Sequence, residues 1–125
     1  MPRIIITGAS DGIGAEMARQ LAQTHQSRLQ LTLAARNAAN LETVAQQCRA
    51  LGAQVLIAPT DVSDQAQCRA LIDAAVRQFG GLDALINNAG VSAHALFEEV
   101  RAEDLGWYER LMRINLWGSV WCTHA

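Results

Sequence analysis

Short runs of β-branched and other apolar residues alternate along the chain with longer stretches whose apolar positions recur at helical spacing. That rhythm predicts strands and helices in turn, packed as a parallel sheet covered on both faces. Ile4-Ile5-Ile6-Thr7 is too short for a helix and is closed by Gly8, so it predicts a buried strand. Ile13, Met17 and Leu21 fall every fourth position and predict one face of a helix from Gly12 to about Thr24. Leu29 to Ala35 predicts the second strand, and Asn40 to Leu51 a helix stopped by Gly52. Gln54 to Ala58 predicts the third strand. Ser63 is placed to cap a helix running to Phe79, with Leu71, Ile72, Ala75 and Val76 as its buried side. After the break at Gly80-Gly81, Leu82 to Ile86 predicts a fourth strand that leads into Asn87-Asn88-Ala89-Gly90. A polar loop near Ser92 and His94 then precedes a last helix from about Glu103 to the end.

That last helix is apolar almost all round, from Leu105, Trp107 and Tyr108 to Val120 and Trp121. Such a helix is buried on two sides, and the sheet can cover only one of them. No Gly, Asn or Pro closes it before Ala125, which leaves its final carbonyls to water. The expectation is a truncated terminus rather than a designed stop.

Length sets the scale of the fold. A βαβ step takes roughly 30 residues, so 125 residues hold about four strand–helix units in a single domain, residues 1–125. The chain is 50% hydrophobic and 18% charged, as a globular domain is, with a net charge of −2. Without a basic run it carries no footprint for nucleic acid. No uninterrupted apolar segment is long enough for a membrane span. Met1-Pro2-Arg3 leads straight into a strand, so the expected location is cytoplasmic. Cys48, Cys68 and Cys122 are widely spaced without a CxxC pair, and read as small buried residues rather than metal ligands. All ten basic residues are Arg. The 125 residues therefore exclude any chemistry of their own that needs a lysine.

Thr7-Gly8-Ala9-Ser10-Asp11-Gly12-Ile13-Gly14 stands where the first strand turns into the first helix. A pyrophosphate needs backbone N–H donors at the positive end of a helix dipole, and glycine permits both the tight turn and the close approach. Gly14 lets the helix pack closely. The GxxxGxG spacing is joined, in order, by Ala34-Ala35-Arg36, Asp61-Val62, Asn87-Asn88-Ala89-Gly90 and Ile114-Asn115-Leu116-Trp117-Gly118. With these five segments the whole chain resembles the short-chain dehydrogenase/reductase family. The GxxGxxG spacing of epimerase-like relatives is not present.

The resemblance implies an α/β fold: a Rossmann-type doubly wound parallel sheet, its four strands in order 3-2-1-4 with flanking helices, ending before strands 5 and 6. It implies an incomplete NAD(P)-binding domain whose cofactor contacts are Thr7, Gly8, Ser10, Asp11, Gly12, Ile13, Gly14, Arg36, Asp61, Val62, Asn88, Ala89 and Gly90. Arg36 at the second strand's end would neutralise a 2′-phosphate, where an acidic residue would bind the ribose hydroxyls, so NADP(H) is favoured over NAD(H). Asp11 departs from this, because many NADP-binding relatives carry a basic residue in the turn. Asp61 would accept from the adenine amino group while the Val62 backbone meets the ring; a turn-stabilising role is the plainer reading of Asp61. Asn88 would also brace the sheet. Asn115 matches the catalytic asparagine of relatives, whose backbone holds a water in a proton relay.

Relatives transfer hydride with a Ser, a Tyr and a Lys four residues after the Tyr, the Lys lowering the Tyr pKa. Here Tyr108 is followed four positions later by Met112, and Ser92 and Ser119 sit on no fifth strand. The expected function is the N-terminal, cofactor-binding part of an oxidoreductase that interconverts an alcohol and a carbonyl. A short, non-catalytic nucleotide-binding or assembly module is the alternative. In relatives the last helix packs on its symmetry mate, so a homo-oligomer is expected, with Trp117 or Trp121 in the contact or exposed.

Overall fold

The computed structural model describes residues 1–90 and 101–125; Ser92 and His94 lie outside them. The order is β1 (Arg3–Thr7), α1 (Gly12–His25), β2 (Gln30–Ala35), α2 (Ala38–Ala50), β3 (Gln54–Pro59), α3 (Gln65–Phe79), β4 (Ala84–Ile86), α4 (Gly106–Met112) and α5 (Gly118–His124). The four strands form one sheet in the order β3-β2-β1-β4, parallel throughout. Ile4, Ile5 and Ile6 pair with Leu31, Thr32 and Leu33 on one side and with Ala84, Leu85 and Ile86 on the other.

Alternation along β1 builds the two cores. Ile4 and Ile6 join Leu31, Leu33 and the inner faces of α1 and α2, whereas Ile5 faces α3 and the last helix with Leu71, Ile72, Ile114 and Cys122. Asp83 ties the start of β1 to the approach of β4. Its carboxylate accepts from Arg3 Nε at 3.0 Å, Nη2 at 3.1 Å and the Arg3 N–H at 2.8 Å. These bonds push the Asp83 carboxyl down to about 2.

Several local expectations are corrected. The buried side of α1 is Gly14, Ala15, Ala18 and Ala22, with Met17 and Leu21 packed at its margin and Ile13 73% exposed. Small side chains let the helix lie close to the sheet, so the line of larger apolar residues is displaced from the contact. Helix α2 begins at Ala38, because the Asn37 side chain accepts from the Asn40 N–H and starts it earlier than Asn40. Helix α3 is capped by Asp64, whose carboxylate accepts from the Gln67 N–H at 3.2 Å, and not by Ser63. The Ser63 hydroxyl donates instead to Asp61 at 2.6 Å. Val76 is exposed on the far side of α3, and β4 spans only Ala84–Ile86.

The last helix is not uniform. A 3₁₀ turn at Ala102–Asp104 precedes α4, and a π-helical turn at Arg113–Trp117 joins α4 to α5. Ile114, Gly118 and Cys122, four apart, are its buried positions. Leu105, Trp107, Met112, Leu116 and Trp117 stand exposed.

Candidate functional site

The carboxyl ends of β1, β2 and β3 and the turn after β4 open onto one cleft of about 240 Å³. Gly8, Ser10, Asp11, Arg36, Asp61, Val62, Ala89 and Gly90 line it, as residues singled out from the motifs. Ala34, Ala35, Asn37, Thr60 and Ile114 complete the wall. Asn37 and Thr60 belong to none of the motifs, and their only sequence signal is adjacency to Arg36 and Asp61. Ile114 reaches the cleft only because the last helix folds back across it, which no local pattern reports. A broader, shallow groove adjoins through the shared Asp61, between the start of α3 and Arg113.

Beneath the cleft the turn is held by side chains of its own motifs. Thr7 Oγ1 accepts from the N–H groups of Asn88 and Ala89, each at 3.1 Å, and its hydroxyl lies 3.4 Å from the Ile86 carbonyl. Asn88 Nδ2 donates to the Gly8 carbonyl at 3.2 Å, so its amide braces the turn from below. Gly8 has φ +65°, and a Cβ there would stand 2.8 Å from the Ala89 Cα. A Cβ on Gly14 would collide with the Gly8 carbonyl and the Asn88 amide. These two glycines allow the helix, the turn and the Asn88–Ala89 segment to occupy one small volume.

Helix α1 differs from its neighbours at its N-terminus. Asn37 and Asp64 cap α2 and α3 with their side chains, but Asp11 makes no side-chain cap bond. Asp11 thus supplies no side-chain acceptor to the donors at the start of α1, where Gly12 and Ile13 are exposed. The site accordingly fits an anionic group: a glycine turn, helix donors that Asp11 does not cap and a dipole end together.

Across the cleft, Asp61 Oδ1 accepts from the Ser63 hydroxyl at 2.6 Å and the Ser63 N–H at 3.0 Å. The Ser63 hydroxyl, then its N–H and the nearby charges of Arg36 and Arg110, hold the Asp61 carboxyl below the usual range despite partial burial. Asp61 is therefore an anion at neutral pH. Asn115 is exposed, and its Oδ1 lies 3.2 Å from where a Cβ on Gly90 would stand. The π turn brings this amide beside the Asn88-Ala89-Gly90 segment, where single-turn π-bulges often mark functional positions. Below Val62, Cys68 Sγ lies 3.4 Å from the Val62 carbonyl oxygen. Burial, together with the neighbouring Cys122, pushes the Cys68 thiol up to about 12.

A sequence model described as short chain dehydrogenase matches residues 2–125. The chain belongs to the short-chain dehydrogenase family. This is a family of NAD(P)-dependent oxidoreductases. An 11-beta-hydroxysteroid dehydrogenase from Pinus massoniana is 43% identical over 121 residues, 96% of this chain and 33% of that protein. The chain thus spans about a third of that curated relative's length. The alcohol dehydrogenase of the archaeon Thermococcus sibiricus, solved with 5-hydroxy-NADP, matches with a TM-score of 0.84 at 28% identity, over 98% of this chain and 50% of that one. NADH-dependent reductase A1-R′, solved with NAD, matches with a TM-score of 0.83 at 29% identity, over 98% of this chain and 49% of that one. The short-chain dehydrogenase fold is common to proteins solved with either cofactor, so the choice between them rests on individual side chains. Among the described residues no helix is long and apolar enough to cross a membrane.

Proposed function

We infer that the cleft binds NADP(H) as the cofactor end of an oxidoreductase acting on an alcohol or carbonyl. The observation that carries this reading is the uncapped N-terminus of α1 opening onto a glycine turn that shares its cleft with Arg36 and Asp61. The Gly8–Gly14 turn and the start of α1 receive the pyrophosphate, and Asp61 with the Val62 backbone receives the adenine. Arg36, exposed at the end of β2, neutralises a 2′-phosphate. When bound, the cofactor supplies or accepts a hydride. Asn115 holds a water beside Gly90, on the side of the cleft where a proton would leave or enter. The carbonyl-polarising Ser and the Tyr–Lys pair of the family are not among these 125 residues, so the reading assigns that chemistry elsewhere. The exposed face bearing Met112, Leu116 and Trp117 is assigned to contact with a second copy of the chain.

Calorimetric titration with NADP⁺ and NAD⁺ tests the cofactor assignment. NADP⁺ is expected to bind about tenfold more tightly, the worth of one charge-assisted pair at a partly exposed site. Arg36→Ala is expected to abolish that preference while leaving NAD⁺ affinity within about twofold. Equal affinities in the parent chain would defeat the 2′-phosphate assignment, and binding of neither would defeat the cofactor reading.

A further inference from the structure

Arg113 lies outside the cleft, yet it grips the turn that forms one of the cleft's walls. From the π turn of the last helix, its Nε and Nη2 donate to the Ser63 carbonyl at 3.3 and 3.2 Å. The same guanidinium lies over the Trp121 ring, 5.2 Å from its centroid, which fixes its orientation from the other side. Ser63 in turn delivers both its hydroxyl and its N–H to Asp61 Oδ1. The Asp61 N–H donates to Gln67 Oε1 at 2.8 Å, anchoring the front of the turn to α3. Among the described residues no hydrogen bond reaches the second carboxylate oxygen, Oδ2. One residue along, Val62 meets the helix where Gly118 has no side chain, since a Cβ there would stand 3.0 Å from Val62 Cγ2.

These contacts form one mechanical path. Arg113 fixes the Ser63 peptide, Ser63 fixes Oδ1 of Asp61, and that leaves Oδ2 presented in a set direction. We propose that Arg113 is a positioning residue, setting through Ser63 the orientation in which the Asp61 carboxylate recognises an exocyclic amino group on a purine. The inference rests on the cofactor reading and assigns a discriminating role to a side chain that touches no ligand. A fork of two donors suits this task better than a lysine's single point charge, because two bonds to one carbonyl restrain rotation as well as distance. The ligand chemistry follows: adenine offers an amino donor at the position where hypoxanthine offers a carbonyl acceptor.

The test compares AMP with IMP as probes on the 125-residue chain, by calorimetry or ligand-observed NMR. The parent chain is expected to prefer AMP. In Arg113→Met, which keeps an apolar stem against Trp121, AMP binding weakens about five- to tenfold while IMP binding changes less than about twofold. Arg113→Lys restores part of the preference, with an AMP/IMP ratio about two- to threefold below the parent. General loosening of the fold would weaken both nucleotides together and lower the Tm, and that result overturns the proposal. An AMP/IMP ratio unchanged in both variants overturns it too. Should Arg113→Met not fold, the Lys variant alone decides by whether its ratio falls. A parent chain that binds neither nucleotide refutes the cofactor reading itself, an outcome separate from normal AMP preference with no effect of Arg113.

Discussion

Thr7 shows how one oxygen holds the cleft together. Its Oγ1 is the acceptor for both the Asn88 and Ala89 N–H groups, and Thr7 is 2% exposed. Thr7→Val keeps the shape and β-propensity but leaves two partly buried donors unmatched. The expected cost is about 1–3 kcal/mol in urea unfolding, the desolvation penalty of unmet donors. An unchanged midpoint would show that the Thr7 hydroxyl does not hold the Asn88 and Ala89 N–H groups. Asp83 gives a pH signature. Its carboxyl lies at about 2 in the folded chain, held there by Arg3, and near 4 when unfolded. Its pKa is lower in the folded state, so its contribution is full above about pH 4 and fades as pH falls toward 2. Asp83→Asn should flatten that part of a stability–pH profile, and a profile as steep as the parent's would contradict the pairing. The glycine turn was legible in the sequence because it joins a buried strand to a helix, and Arg36 and Asp61 were legible through the family resemblance, which sets them after the second and third strands. The contest between Ser63 and Asp64 was not, since either can cap a helix and only the neighbouring Asp61 carboxylate decides it.

At the scale of elements, that contest has a measurable consequence. Asp64→Ala removes the α3 cap and should cost about 1 kcal/mol, whereas Ser63→Ala should cost less and instead raise the Asp61 pKa toward its ordinary value. Reversed stability losses in urea unfolding would return the cap to Ser63. Helix α1 was legible as a helix but not in its orientation. The period of Ile13, Met17 and Leu21 is correct for a helix, but close packing favoured the Ala15–Ala18–Ala22 stripe one step around. The last helix was legible as apolar on two sides, and its exposed Trp117 and Leu116 agree. The π turn at Arg113–Trp117 carries no sequence signal of its own. It nevertheless carries Ile114 in the core, Arg113 on the Ser63 carbonyl and the Asn115 amide beside Gly90.

For the whole molecule, the strand order followed from the family resemblance, and the two cores follow from alternation along β1. The sheet brings motifs up to 82 residues apart, from Thr7 to Ala89, within one hydrogen bond. Trp117 lies stacked with Trp121, 6.0 Å between ring centroids, and is 47% exposed in the single chain. If a second copy covers this face, sedimentation equilibrium should show concentration-dependent association that Trp117→Glu shifts toward monomer; identical profiles would remove this contact. Whether the cleft takes the cofactor can be read from amide NMR of the 125-residue chain titrated with NADP⁺. Saturable shifts are expected at Gly8, Ser10, Asp11, Arg36, Asp61, Val62, Ala89 and Gly90, with little change along the outer faces of α2 and α3. Absence of saturable binding, or shifts centred away from these residues, would contradict cofactor binding in the cleft.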